Sequence, residues 1–198
     1  MSSNSPAKTL LRRNLTIFNL AGREAANYPT HMSKTLPPKP RNLSQKTTIT
    51  IVASQYNSEF TDALVENAQE ELSELSANAH IDLIRVPGAF EIPSIVESVM
   101  RSEKPDCVIA LGLIIRGQTS HGDLVANSVT QALQKIAVDH ATPIIHEVLI
   151  VDDEKQAYAR CIGTKLNRGR EAASAAIAVT DTFQQFKKSS SRVFPSNV

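Results

Sequence analysis

Three short segments of this 198-residue sequence carry residue types that bind anions or move protons. In Arg116-Gly117-Gln118-Thr119-Ser120-His121-Gly122-Asp123 an apolar run ends and a helical pattern begins. Backbone N–H groups, two hydroxyls and the positive end of a helix make a phosphate cradle there, and Gly117 lets the main chain approach an anion closely. His121 can transfer protons near neutral pH. A plain capped loop with a surface histidine accounts for the same residues. Arg160 and Arg168, the latter in Asn167-Arg168-Gly169, offer planar guanidinium groups that can grip a phosphate by paired hydrogen bonds, with solvated arginines as the alternative. The third segment, Val86-Pro87-Gly88-Ala89-Phe90-Glu91-Ile92-Pro93, sets an acid at a helix start beside a flexible turn and an aromatic ring. Glu91 either answers the helix dipole or accepts hydrogen bonds from a polyol.

Positioning these groups requires a frame, and the apolar spacing from Thr48 onward supplies one. Thr48 to Ala53 is β-rich; Ser58 offers an N-cap, and Phe60, Leu64, Ala68, Leu72 and Leu75 recur at helical spacing. A strand over Ile81 to Val86 follows, then a helical face of Ile92, Ile95, Val96, Val99 and Met100, with Pro87-Gly88 between them. Asp106 to Ile115 is apolar on both faces, as a central parallel strand requires, and Val125, Val129, Leu133 and Ile136 mark the next helix. Pro143 opens the last strand, Ile144 to Val151. Asp152 or Asp153 can cap a short helix through Arg160, and Ala172, Ala176, Val179, Phe183 and Phe186 mark a final helix with Lys187 and Lys188 at its end. Four strands alternating with helices predict an α/β fold: a three-layer α/β/α sandwich around a four-stranded parallel, flavodoxin-like sheet. Ligands of such sheets bind beyond the carboxyl ends of the strands, where the three segments fall.

The 41% hydrophobic content suits one ordinary core, so one folded domain over residues 47–188 is expected, between a 1–46 extension and a 189–198 tail. Residues 1–46 hold eight Lys or Arg against the single acid Glu24 and carry +7, which leaves −6 on the rest of a chain whose formal total is +1. An acidic folded part disfavours nucleic acid as a partner. The extension, with Pro37-Pro38-Lys39-Pro40 and little apolar periodicity, reads as a disordered tail. Its Arg and Ser content also resembles an organelle transit peptide, and Met32 is a second candidate start. Cytoplasmic localisation is expected, with organelle targeting as the alternative. Cys107 and Cys161 lack CxxC spacing and read as reduced thiols, not as a metal site. The run Cys107 to Ile115 is too short to span a bilayer and no apolar segment is longer, so no membrane partner is expected.

The segments Val86 to Pro93, Ile115 to His121 and Asn167-Arg168-Gly169-Arg170-Glu171-Ala172-Ala173 resemble, in order and spacing, the three signature blocks of the lumazine synthase family, and the resemblance runs from about Thr48 to about Phe183. It implies condensation of 5-amino-6-(D-ribitylamino)uracil with 3,4-dihydroxy-2-butanone 4-phosphate to 6,7-dimethyl-8-ribityllumazine, phosphate and water, with no cofactor and no metal. Imine formation, phosphate loss, tautomerisation and ring closure chiefly need positioning and proton transfer. On this resemblance Tyr56 stacks on the pyrimidine, Asn57 and Glu91 hold the ribityl chain, and Gly88, Ala89, Phe90, Ile92, Ile114 and Ile115 line the ring pocket. Gln118, Thr119 and Arg160 hold the phosphate, His121 transfers protons and Arg168 is catalytic beside it.

The family also implies a homopentamer whose sites lie between subunits, Arg160, Arg168 and His146 coming from the neighbour of the chain that gives Glu91 and His121. In many members twelve pentamers close into a 60-subunit icosahedral shell, which the compact turn from Gly163 to Gly169 favours, and association with riboflavin synthase is a further implied partnership. Four positions depart from the family pattern: Arg168 stands for a usual Lys, His146 for an aromatic, Ala159 for an acid, and Tyr56 for Phe or Trp. They leave as the alternative a weakly active or inactive flavin-binding or shell-forming paralogue. A generic nucleotide-binding domain does not fit, because Gln55-Tyr56-Asn57 follows the first strand where a GxGxxG loop is needed.

Overall fold

β-branched and apolar residues concentrate in four strands: β1 (Thr47–Ser54), β2 (Ala79–Val86), β3 (Cys107–Ile115) and β4 (Ile144–Val151). Between and after them lie α1 (Ser58–Leu75), α2 (Ile92–Ser102), α3 (His121–His140), α4 (Glu154–Cys161) and α5 (Arg168–Val193), with a 3-10 turn, Ala89–Glu91, leading into α2. The computed structural model describes residues 39–40, 42–43 and 45–193, with side chains through residue 189. The expectations for residues 1–38, namely the disordered extension, the transit-peptide likeness and the start at Met32, lie outside the described residues, as does the tail from 194 onward.

All strand pairs are parallel, in the order β2-β1-β3-β4. β1 and β3 are central and almost wholly buried, as their two-sided apolar character requires, while β2 and β4 are half-buried edges. Alternation along the strands divides the core into two layers. Ile49, Ile51, Ala53, Ile109, Leu111 and Leu113 face α1, α4 and α5. Val52, Val108, Ala110 and Val148 face α2 and α3. β1 hands the chain through α1 to β2 on one side, and β3 hands it through α3 to β4 on the other. The connections therefore diverge between β1 and β3, which sets the ligand-binding switch point at their carboxyl ends.

Local chemistry refines several expected boundaries. The N-cap of α1 is Asn57, not Ser58: Asn57 takes the left-handed conformation (φ 58°), which Asn tolerates, and its carbonyl accepts the N–H groups of Phe60 and Thr61. Asp153, not Asp152, caps α4, its carboxylate accepting the Gln156 N–H at 2.7 Å. β2 begins at Ala79 because Ala79 and His80 pair with Thr47 and Thr48. α5 continues beyond Lys187 and Lys188 to Val193, through part of the segment read as a tail. Part of the expected extension is also ordered: Leu43 is buried in the α1/α5 layer and its N–H bonds the Leu75 carbonyl at 3.1 Å. Both cysteines are free and buried, and burial pushes both thiols up to about 12, which keeps them protonated and inert.

Gly169, in the first turn of α5, lies close against the backbone of α1. A Cβ there would lie 2.4 Å from the Leu64 carbonyl oxygen, a backbone atom that cannot swing aside. Gly169→Ala is expected to lower stability by about 2 kcal/mol through this overpacking. Urea unfolding at fixed protein concentration checks it, and an unchanged midpoint would show that the two helices separate at no cost.

Candidate active site

The carboxyl edge of the sheet gathers the loops after β1, β2 and β3. Gln55 and Tyr56 donate their N–H groups to the carbonyls of Val86 and Pro87 at 2.8 and 3.0 Å, which locks the first loop onto the second. Asn57 ties the first loop to the third strand, its Nδ2 donating to the Leu113 carbonyl at 2.9 Å. This cross-link spans the switch point between β1 and β3. Tyr56 projects outward, 74% exposed.

The loop after β2 places Gly88, Ala89, Phe90 and Glu91 at the entrance of α2. The Glu91 carboxylate accepts the Gly88 N–H at 2.9 Å through Oε2, so its role in closing the turn is real, and the side chain is otherwise exposed. Phe90 lies 60% open to solvent. Ala89 and Ile92 are buried in the α2/α3 layer, which leaves mainly their backbone for a ligand. Ile114 and Ile115 are half-buried at the end of β3 and turn to opposite layers.

The loop after β3 is exposed throughout residues 116–121. Ser120 stands at the N-cap of α3 without a side-chain cap bond, so the helix end remains open to an outside acceptor. His121 is the first residue of that helix. Among the described residues no side-chain hydrogen bond holds Gln118 or Thr119. A Cβ on Gly117 would meet nothing within 4 Å, so packing within the chain does not require glycine there and the backbone stands open to an approaching anion.

Phe90, Glu91 and His121 meet across a cleft of about 530 Å³, completed by Leu124, Val125 and Ser128 of α3. Of these three, Val125 is read from sequence only as part of the helical stripe, and Leu124 and Ser128 carry no residue type or spacing that marks a site. The cleft thus has an apolar wall, a carboxylate and an imidazole, a set suited to an aromatic ring bearing a polyol.

Arg160, Arg168 and His146 do not line this cleft. His146, on edge strand β4, shares a 2.8 Å hydrogen bond between Nε2 and Thr130 Oγ1 of α3. Arg160 lies on α4, with Nη1 donating to the Gln156 carbonyl at 3.3 Å. Arg168 opens α5 and donates from Nη1 to Glu171 Oε2 at 2.6 Å, while its Nε is buried without a partner. The rest of that third segment is structural. Asn167 caps α5 through Oδ1 and the Arg170 N–H, and its Nδ2 bonds the Cys161 and Gly163 carbonyls at 3.2 Å each. Arg170 binds Asn67, Glu70 and Glu71 of α1.

Beside Arg168 lies a group not anticipated from sequence, Glu147. Burial pushes its carboxyl up to about 7, partly offset by the Arg168 charge and reinforced by Glu171. Its one sequence signal is an acid within the apolar run Ile144 to Val151. No group of three or more His, Cys, Asp or Glu among the described residues could hold a metal ion, and no helix there is long and apolar enough to cross a membrane.

Known proteins resemble this chain over the same region. Residues 46–184 match the model of a family described as 6,7-dimethyl-8-ribityllumazine synthase. An enzyme of that description from Thermococcus kodakarensis is 36% identical over 140 residues, covering 71% of this chain and 88% of the relative. One from Methylibium petroleiphilum is 38% identical over 138 residues, covering 69% and 84%. One from Mycolicibacterium gilvum is 36% identical over 152 residues, covering 76% and 94%.

Proposed function

The chain belongs to the 6,7-dimethyl-8-ribityllumazine synthase family, and from that membership we propose how its cleft carries out the condensation. The protein is a transferase of riboflavin biosynthesis that joins 5-amino-6-(D-ribitylamino)uracil to 3,4-dihydroxy-2-butanone 4-phosphate, releasing phosphate and water. The observation that carries the site assignment is the meeting of Phe90, Glu91 and His121 across one cleft at the sheet's switch point.

The pyrimidine lies between exposed Tyr56 and the Phe90 wall, where ring faces desolvate each other. Glu91 and Asn57 accept hydrogen bonds from the ribityl hydroxyls. Gln118, Thr119 and the open N-terminus of α3 receive the phosphate of the second substrate, which brings its carbonyl to the pyrimidine amine and makes imine formation effectively unimolecular. His121 sits at the same helix end and moves the protons that imine formation, phosphate departure and ring closure require.

Arg160, Arg168 and His146 do not line this cleft within one chain, and Phe90 and Leu124, which do, are exposed apolar side chains that a neighbour would cover. The reading therefore includes a cytoplasmic homopentamer in which a neighbour supplies those three residues, with twelve pentamers closing into a shell and riboflavin synthase as an associated partner. Size determination by light scattering tests the assembly. Arg160→Ala is expected to raise KM for the butanone phosphate about tenfold, the loss of one charge-assisted phosphate bond, with little change in the pyrimidine KM.

Mixing the purified protein with both substrates and following lumazine absorbance and fluorescence tests the function itself. Turnover above the uncatalysed background supports it. A folded oligomer that makes no product but binds riboflavin tightly would replace it with the flavin-binding paralogue.

A further inference from the structure

The loop that bears Gln118, Thr119 and His121 is exposed and has no side-chain bonds of its own at residues 118–120 among the described residues, yet its two ends are joined. Arg116 Nε donates to Asp123 Oδ1 at 3.0 Å, and Asp123 lies in the first turn of α3. The bridge closes a ring around residues 117–122. The same guanidinium reaches a second carboxylate: Nη1 donates to Asp152 Oδ1 at 2.5 Å, just beyond the end of β4. The Arg116 N–H also bonds the Val151 carbonyl at 2.8 Å, so backbone and side chain fix the loop to β4 together.

The chain of bonds continues. Asp152 Oδ2 accepts from Gln156 Nε2 at 3.0 Å, the Gln156 N–H is the capping donor to Asp153, and the Gln156 carbonyl accepts from Arg160. One guanidinium therefore joins the 117–121 loop, assigned to the phosphate of its own chain's cleft, to helix α4, whose Arg160 serves the adjoining site on the reading above. Arg fits this place because its planar fork can serve two carboxylates at once, whereas an ammonium is a point charge.

We propose that Arg116 is a positioning residue for phosphate recognition, holding the β3–α3 loop and the start of α4 in one frame. This rests on the functional reading above. The ion pairs are solvent-exposed, with side-chain exposures of 43% for Arg116, 54% for Asp123 and 59% for Asp152, so their contribution to global stability is small. The effect is local: without the fork, a loop with few bonds samples more conformations, and each phosphate-binding event must restore order.

The test compares Arg116→Gln, Arg116→Lys, Asp152→Asn and the Arg116→Gln/Asp152→Asn double variant with wild type, by steady-state kinetics, by calorimetric titration with inorganic phosphate, and by thermal unfolding. Arg116→Gln is expected to raise both KM for the butanone phosphate and the phosphate Kd about fivefold, the scale of losing its two exposed charged bonds, while the pyrimidine KM and Tm stay close to wild type. Arg116→Lys restores part of the loss, Asp152→Asn reproduces part of it, and the double variant is no worse than Arg116→Gln, since both changes break one bridge. Phosphate affinity unchanged in Arg116→Gln, or both KM values and Tm worsening together, overturns the proposal. So does absence of phosphate binding by the wild type. If Arg116→Gln does not fold, Asp152→Asn decides, because it keeps the guanidinium and removes only one of its carboxylate partners. The titration needs no turnover, so failure of the enzymatic reading appears separately, as a wild type that binds phosphate but forms no product.

Discussion

His121→Ala is expected to lower kcat about a hundredfold, the lower end of the roughly 10²- to 10⁴-fold effects of losing a positioned acid–base group. The lower end applies because orientation of two reactive partners carries much of the rate and survives the substitution. The side chain stands exposed at the first position of α3, so its removal leaves no buried cavity and Tm should not move. His121→Gln separates proton transfer from hydrogen bonding: it keeps a donor in the cleft and should restore binding without restoring kcat. Single-turnover measurement of lumazine formation checks both variants. Equal turnover by His121→Ala and wild type would remove the imidazole from the mechanism and leave proton transfer to water or to substrate groups.

The second large effect is on stability. The folded-state value for Glu147 is about 7 against an ordinary 4.5, with burial as the main cause. Between those two values the folded chain keeps a proton that the unfolded chain has lost, so stability falls as pH rises through this window. Below it the group is neutral in both states, and above it the full penalty applies. The difference between 7 and 4.5 corresponds to about 3 kcal/mol at about 1.4 kcal/mol per unit. Glu147→Gln retains the shape and abolishes the charge, so it should flatten the decline between pH 5 and pH 8 and exceed wild type by up to about 3 kcal/mol at pH 8. Urea midpoints at the two pH values, at one protein concentration, measure this. Parallel wild-type and variant profiles would mean that Glu147 ionises freely in the folded state.

Much of the frame was legible in residue spacing because burial on both faces and burial on one stripe leave different periods. The run from Cys107 to Ile115, short, continuous and rich in β-branched residues, fits a covered strand, and the stripe Val125, Val129, Leu133 and Ile136 fits a helix. Boundaries were less legible where backbone outweighs side-chain preference. Ser58 is the favoured capping type, yet Asn57 fills the position because Asn tolerates the left-handed turn and supplies the first carbonyl. The acceptance of the Gly88 N–H by Glu91 and the opening of α3 by His121 follow from helix-start chemistry visible in sequence. Arg116 was visible only as part of a loop, since its two carboxylate partners lie 7 and 36 residues away. Glu147 was hidden for a related reason. A lone acid on an edge strand looks solvated until α5 is folded across it with Arg168 and Glu171.

Strand order and synthesis order are related in a particular way in this sheet. β2 is made after β1 and pairs with it; β3 then adds to the other side of β1, and β4 adds to β3. No strand has to be inserted between two that are already paired. As the chain leaves the ribosome, N-terminal segments first, each new strand finds a free edge waiting, and the nascent sheet can widen outward from its oldest member without being reopened.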